Sequence, residues 1–379
     1  MSVLFEPVKI GRLEVKNRFM RSATYFALAD ENGFVGEAEA NLLKTLAKNE
    51  VGLIVPGFAY VLKNGQWASD MNGIQDDDHI SGYRKMTGAV HNAGGKIVLQ
   101  IAHTGSMALT AAQTGADYMV VSLTDNLPDF GRKPRLMTDE DIENIVVEFG
   151  QAARRVQEAG FDGVQIHGAH GYLGSQFLSP RTNQRTDKWG GSIENRMRFI
   201  VEVTRAIKKQ VDDDFPIMIK LGCSDYLEDG SGLTIEEGGK VVKALEKEGI
   251  CNVEISYNLI DPPLRKRFLG ITKPEKEAVL LRDARVIRDA VSIPLALVTG
   301  MRSIPVMEEV IRSGAADLIS MCRPLIREPN LIKRWKEGDS RPADCISCTS
   351  DAHKTLYGCF NPDETGKMHI YCRQLKKKS

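Results

Sequence analysis

Two histidines three residues apart, His167 and His170, with Tyr172 two residues further on, put three groups able to hold or move a proton within one short stretch. A lone histidine at the end of an apolar run is more often a hydrogen-bonded structural residue than a catalyst. A pair followed by a phenol shifts the reading toward acid–base or oxyanion chemistry. The pair could also ligate a metal, but zinc sites use three or four protein ligands and no nearby carboxylate completes a set. Lys220, alone in the apolar run 216–221, is the residue type that forms Schiff bases in barrel enzymes. Gly300 with Arg302, and Cys322 with Arg323, combine close backbone approach with cations, as a phosphate requires; solvated arginines are the plain alternative. Four cysteines, Cys345, Cys348, Cys359 and Cys372, crowd into the last 35 residues. In a reducing compartment such crowding points to a metal before disulfides.

These residues need elements to position them. Eight short apolar runs alternate with amphipathic segments: 18–23, 52–55, 96–101, 163–167, 216–221, 252–256, 294–298 and 317–321. Continuous rather than alternating hydrophobicity is what parallel strands buried on both faces require. Helical periodicity falls at about 37–49, 80–93, 138–159, 193–210, 235–248, 282–290 and 303–313. The stripe Ile142, Ile145, Val146, Phe149, Ala152, Ala153 and Val156 is the clearest, with Thr138 as its N-cap. Eight strand–helix units predict an α/β fold, a (β/α)8 TIM barrel over 1–337 with a short cysteine-rich segment at 338–379. An open doubly wound sheet is the alternative, but Gly230-Ser-Gly232 is an incomplete nucleotide fingerprint. In a barrel the chemistry gathers where strands end. The strand ends deliver Ser22-Ala23-Thr24, Gly57, Gln100, His167 to Tyr172, Lys220, Gly300 to Arg302, and Cys322-Arg323.

Composition limits the partners. The chain has 379 residues, 42% apolar and 26% charged, with 50 basic and 50 acidic side chains. A formal net charge of zero argues against nucleic acid or anionic lipid. The opening MSVLFEPVKIGRLEVKN lacks the apolar stretch of a signal peptide, and no segment approaches a membrane span, so a cytoplasmic protein with no membrane partner is expected.

Beyond these patterns, the residues resemble the Old Yellow Enzyme family over about 4–335. The resemblance rests on His167-Gly-Ala-His170-Gly-Tyr172-Leu173, Gln176-Phe177-Leu178-Ser179-Pro180, Asn183, Arg185, Asp187, Gly190-Gly191-Ser192 and Asn195-Arg196. The opening Leu4 to Gly11 with Lys16-Asn17-Arg18, the Gln100-x-x-His103-x-Gly105 block and the Gly314 to Pro324 block add to it. It implies FMN across the strand ends, with NADH or NADPH as hydride donor. Ser22, Ala23 and Thr24 would line the ring, Thr24 beside O4. Gln100 would meet the pyrimidine edge and Lys220 the N1/O2 side, where such families often carry arginine. Gly57 would lie close to the ring, and Gly300, Arg302, Cys322 and Arg323 would hold the phosphate. His167 and His170 would bond the oxygen of a small-molecule substrate with an activated C=C bond, and Tyr172 would protonate its α-carbon. Multidomain relatives (2,4-dienoyl-CoA reductase, trimethylamine dehydrogenase) carry a [4Fe-4S] centre after the barrel. Cys345-x-x-Cys348 matches its opening pair, whereas the gap to Cys359 is longer than the family's; zinc, or His353 as a substitute ligand, stays open. Those relatives continue into nucleotide-binding domains, so this chain is expected to take electrons directly or from a partner. A homo-oligomer, and an electron-transfer or amine-dehydrogenase-like subunit, also remain open.

Overall fold

A computed structural model describes residues 2–125, 127–259, 264–348, 359–362 and 368–376. All eight expected runs form parallel strands: β1 (Phe19–Arg21), β2 (Leu53–Ile54), β3 (Leu99–Ala102, led by Lys96–Ile97), β4 (Val164–Gly168), β5 (Ile217–Gly222), β6 (Asn252–Ser256), β7 (Leu295–Val298) and β8 (Leu318–Met321). Leu53 pairs with Lys96 and Gln100 with Gln165, so the third run joins the second to the fourth. Ile319 pairs with Phe19, which joins the last strand to the first and closes the ring. A further short strand, Phe58–Tyr60, continues β2 alongside β3.

The surrounding helices follow the amphipathic segments: α1 (Glu37–Lys48), α2 (His79–His91), α3 (Asp139–Glu158), α4 (Arg198–Lys208), α5 (Ile235–Glu248), α6 (Leu281–Ala290) and α7 (Ile304–Arg312). The expected helix at 193–210 is split: Ser192 caps a separate short turn, Ile193–Arg196, before α4 begins. In α3, the Thr138 hydroxyl accepts from the Asp141 N–H and the Asp141 carboxylate accepts from the Thr138 N–H. Such a reciprocal cap stabilises a helix start by about 1 kcal/mol. The buried face of α3 carries Ile142, Ile145, Phe149, Ala152, Ala153 and Val156, as the stripe predicts.

The barrel interior is layered, because inward-facing positions recur every second residue. Met20, Leu53, Val98, Met218, Ala296 and Leu318 make an apolar floor. The N-terminal hairpin Val8–Ile10/Leu13–Val15 packs onto that floor through Ile10, Leu13 and Val15. Two residues further along their strands, Ser22, Gln100, Lys220 and Ser320 replace the apolar side chains, all of them buried. Apolar support thus gives way to a polar layer directly beneath the mouth. No helix among the described residues is long and apolar enough to cross a membrane.

Candidate active site

The polar layer is one hydrogen-bonded unit. Gln100 Nε2 donates to Gln165 Oε1 at 2.7 Å, and Gln165 Nε2 donates to Glu254 at 3.1 Å. Ser22 and Ser320 donate to the same carboxylate at 2.6 and 2.8 Å. Lys220 Nζ donates to Ser22 Oγ at 2.7 Å and to Glu254 at 3.2 Å. Burial pushes the Glu254 carboxyl up, but Lys220 and the two serine hydroxyls outweigh it and hold the group below its ordinary value. A lysine paired in this way is an ammonium donor rather than a free amine, which argues against the Schiff-base reading.

Above this layer His167 is the penultimate residue of β4. Its Nδ1 accepts from the Ala169 N–H, so the neutral ring carries its hydrogen on Nε2. Burial, with the nearby Lys220 cation second, lowers the His167 pKa to about 3. His170 follows in the left-handed region (φ 64°), with Gly171 likewise (φ 77°). Such a backbone costs a non-glycine residue about 1–3 kcal/mol and is kept where surrounding structure or function requires it. The turn brings the His170 imidazole to Ser256 Oγ, 2.8 Å away at the end of β6. Burial, Lys220 and His167, in that order, hold His170 well below its usual value as well. The two imidazole centroids are 5.2 Å apart, and the Tyr172 ring is 4.8 Å from His167. Gln176 fixes the turn by donating to Gly171 O at 2.6 Å and accepting from the Ser106 N–H at 3.0 Å.

The remaining expected residues are placed as follows. Thr24 is half-buried, and its hydroxyl shares a short hydrogen bond with the Cys322 thiol. Ala23 packs on the edge of the apolar floor. At Gly57 a Cβ would stand 3.3 Å from both Phe26 and the Thr24 carbonyl, so this loop closes tightly on the end of β1. Gly300 has φ +82°, and a Cβ there would press on Ile271 at 2.8 Å. Arg323 donates to Phe268 O at 3.2 Å. Arg302 is anchored on two sides. Its guanidinium donates to Ala343 O, and its backbone N–H and that of Ser303 bond the Glu277 carboxylate at 2.8 and 2.9 Å.

Sequence reasoning missed Glu254, Gln165, Ser256 and Ser320, and it missed an aromatic wall. Phe58 lies 5.4 Å from Tyr172 and 5.6 Å from His167; Tyr25 stands edge-on to Trp67 at 4.9 Å; Tyr257 lies 4.8 Å from His170. A charge in the middle of the fully buried run NVEIS was the available signal for Glu254. Tyr25, Trp67 and Tyr257 sit in loops, where periodicity says nothing, and Phe58 opens a strand of only three residues. His103, which resembles part of the family pattern, is structural: its Nδ1 accepts from the Gly105 N–H and its Nε2 meets Asn64 Oδ1.

Beyond the barrel, the segment carrying Cys345 and Cys348 is tied to the rim by Ala343 N–H to Arg302 O (2.9 Å) and Gly270 N–H to Ser347 O (3.1 Å). Cys359 and Cys372 flank a small hairpin, Phe360–Pro362/Met368–Ile370. Burial raises the Cys359 thiol, and Cys322, Cys345 and Cys372 are near enough to raise it further. Cys345 is likewise pushed up by burial and feels Cys348 and Cys372. The thiols are neighbours, but among the described residues no three His, Cys, Asp or Glu side chains stand where they could hold a metal ion. His353 lies outside the described residues.

The comparisons decide the family. Residues 3–341 match the model of the NADH:flavin oxidoreductase / NADH oxidase family. The chain belongs to that family. It is 34% identical to an NADH oxidase of Thermoanaerobacter brockii over 91% of this chain and 52% of the relative. It is 33% identical to an NADPH dehydrogenase of Geobacillus sp. (strain WCH70), covering 86% and 92%. Among solved structures, 2-naphthoyl-CoA reductase in complex with 2-naphthoyl-CoA has a TM-score of 0.83 and 31% identity, covering 94% of this chain and 55% of that one. An old yellow enzyme homologue from Zymomonas mobilis has a TM-score of 0.71 and 25% identity, covering 93% and 99%. The likeness to Old Yellow Enzymes is therefore shown, and the chain spans about half the length of the T. brockii relative. Membership carries flavin and a nicotinamide nucleotide as the family's cofactors.

Proposed function

We propose that this chain is an FMN-dependent ene-reductase, using NADH or NADPH to reduce the C=C bond of an enone, enoyl thioester or nitroalkene. The observation that carries the reading is the pair of neutral imidazoles, His167 buried and His170 half-buried, with Tyr172 against the first, set above a polar layer in which Lys220 is the cation. That layer fits a flavin. Lys220 spends two of its three N–H groups on Ser22 and Glu254, which leaves one donor for the N1/O2 edge. Gln100 donates one amide hydrogen to Gln165 and retains its carbonyl oxygen and second hydrogen for the pyrimidine edge. Gly57, packed against Phe26 and the Thr24 carbonyl, would lie close to the ring. Thr24 would meet O4, with Ser22 and Ala23 beneath. Gly300, Cys322 and Arg323 would take the phosphate. Arg302 would join them: Ala343 O holds its Nη2, but its Nε–H has no partner among the described residues.

The bound flavin supplies the hydride, taken from the nicotinamide. The protein's part is to bind and polarise the acceptor. His167 donates its Nε2 hydrogen to the substrate oxygen, and His170, held by Ser256, donates beside it. Because both rings stay neutral, they stabilise the developing enolate without losing their protons to it. Tyr172 delivers a proton to the α-carbon. The aromatic wall of Tyr25, Phe58, Trp67 and Tyr257 keeps water away and favours a flat, conjugated acceptor. The test is direct: purified protein should be yellow, bleach anaerobically with NADH or NADPH, and regain its colour with cyclohexenone. A protein that takes up no FMN refutes the reading.

A second reading, an electron-transfer or amine-dehydrogenase-like flavoprotein with an iron–sulfur or zinc centre at Cys345, Cys348, Cys359 and Cys372, is favoured by one observation. These neighbouring thiols have cations beside them: Arg323 near Cys345 and Cys359, and Arg327 Nη1 3.8 Å from Cys372. Iron and sulfide in the protein with negligible direct turnover by NAD(P)H would favour it over the first.

A further inference from the structure

A carboxylate with no exposure to solvent is an unusual occupant of a barrel interior, and Glu254 is 0% exposed. An isolated buried charge costs several kcal/mol or more, so it persists only when paired and hydrogen-bonded. Glu254 has its pair and its donors from three strands and the end of a fourth: Gln165 (β4), Lys220 (β5), Ser320 (β8) and Ser22, the residue after β1. Two of these side chains, Gln165 and Ser320, belong to the layer beneath the mouth without being expected ligands of any cofactor. Packing alone does not call for a charge there: the layer below is apolar on five of the other strands, through Met20, Leu53, Val98, Met218 and Ala296, with Leu318 on a sixth, and the position beneath Glu254 itself is the neutral Asn252.

We propose that Glu254 is the positioning and charge-setting residue of the flavin site: it fixes the Lys220 ammonium against Ser22 and offsets its charge. The inference rests on the flavin reading above. A bare cation at the N1/O2 edge stabilises the reduced, electron-rich ring. The anion behind it turns that monopole into a dipole, whose field falls off faster, so reduced flavin is stabilised less and donates hydride more readily. Through Gln165 the same carboxylate orients Gln100, so both side chains expected at the pyrimidine edge are anchored to one group. Glu254 reaches no substrate itself; it acts through Lys220 and Gln100.

The experiment is an anaerobic redox titration of the flavin-loaded full chain, wild type against Glu254→Gln, with flavin affinity measured in parallel. Glu254→Gln keeps the shape and removes the charge. The ratio of reduced-flavin to oxidised-flavin affinity should rise about tenfold, equivalent to about 30 mV upward for a two-electron couple. Ser320→Ala removes one donor from the carboxylate, leaves more of its charge uncompensated, and should move the potential downward by a smaller amount, about twofold in the same ratio. Opposite signs from two neighbouring changes are not expected of a merely structural role. A potential in Glu254→Gln that is unchanged or lower overturns the inference; should that variant fail to fold, an unchanged or raised potential in Ser320→Ala does so. A wild-type chain that binds no flavin sinks the functional reading instead, and the two failures are told apart by the wild-type spectrum alone.

Discussion

The barrel mouth and the cysteine segment are built on opposite principles. At the mouth the central polar side chains hang from strands whose register is fixed by their neighbours: His167 stands opposite Lys220, and Lys220 opposite Glu254. The backbone places the chemistry before any ligand arrives. In the cysteine segment the thiols are brought near one another by two backbone ties and a short hairpin, and their distances are not set by a ladder. Register can encode a site in advance, whereas a loop-borne ligand set takes its geometry from what it binds.

The largest expected effect lies at the mouth. Replacing His167 and His170 together by alanine removes both donors to the developing oxyanion, and kcat/KM for an enone should fall by about 10³-fold, judged from the usual cost of losing such donors. Flavin content should be unchanged, because neither imidazole belongs to the polar layer. Steady-state kinetics with flavin quantitation checks both statements, and an intact rate would break the mouth half of the comparison. Tyr172→Phe should slow the oxidation of reduced flavin by enone about 10²-fold. Its reduction by NAD(P)H should stay within a few-fold; stopped-flow measurement of the two half-reactions separates them.

Those expectations draw on what the sequence made legible, which is most of the barrel. All eight strands and the rim from His167 to Tyr172 could be read, because closed parallel strands demand uninterrupted apolar runs and the barrel puts function at their ends. The polar layer was invisible as a unit. Gln165, Glu254 and Ser320 each look like a lone polar residue in an apolar strand, and only ring closure reveals that they meet. The surroundings of Arg302 were equally hidden: Glu277, 25 residues earlier in a loop, accepts from its backbone N–H. The aromatics of the mouth come from loops, or in the case of Phe58 from a three-residue strand, with no periodic signature.

A smaller effect concerns acid stability. Burial holds His103 at a pKa of about 3, like His167, against an unfolded value of about 6.5. Below pH 6.5 the unfolded chain takes up protons that the folded barrel refuses, so each ring lowers stability by about 1.4 kcal/mol per pH unit as pH falls toward 3. Glu39, raised to about 7 by burial despite its bonds to Asn72, works with the opposite sign: its contribution is lost as pH rises from about 4.5 to 7. Denaturant unfolding between pH 7 and 5 should therefore lose slope in His103→Gln and gain it in Glu39→Gln; unaltered slopes in both variants would contradict the burial account.

The smallest effect is expected in the cysteine segment. If register alone sets the active site, Cys345→Ser with Cys348→Ser should leave NAD(P)H–enone turnover within about twofold and flavin absorbance unaltered. A loss of tenfold or more, with loss of bound iron, would place the segment in the electron path and erase the contrast drawn between the two regions.

The most direct test of the central claim is the visible spectrum of the freshly purified full chain during anaerobic titration, first with NADH or NADPH and then with an enone. The account predicts a flavin band near one equivalent per chain that bleaches with the nucleotide and returns with the enone, and that in His167→Ala/His170→Ala bleaches normally but returns slowly. A chain without flavin, or a double variant that returns as fast as wild type, would contradict it.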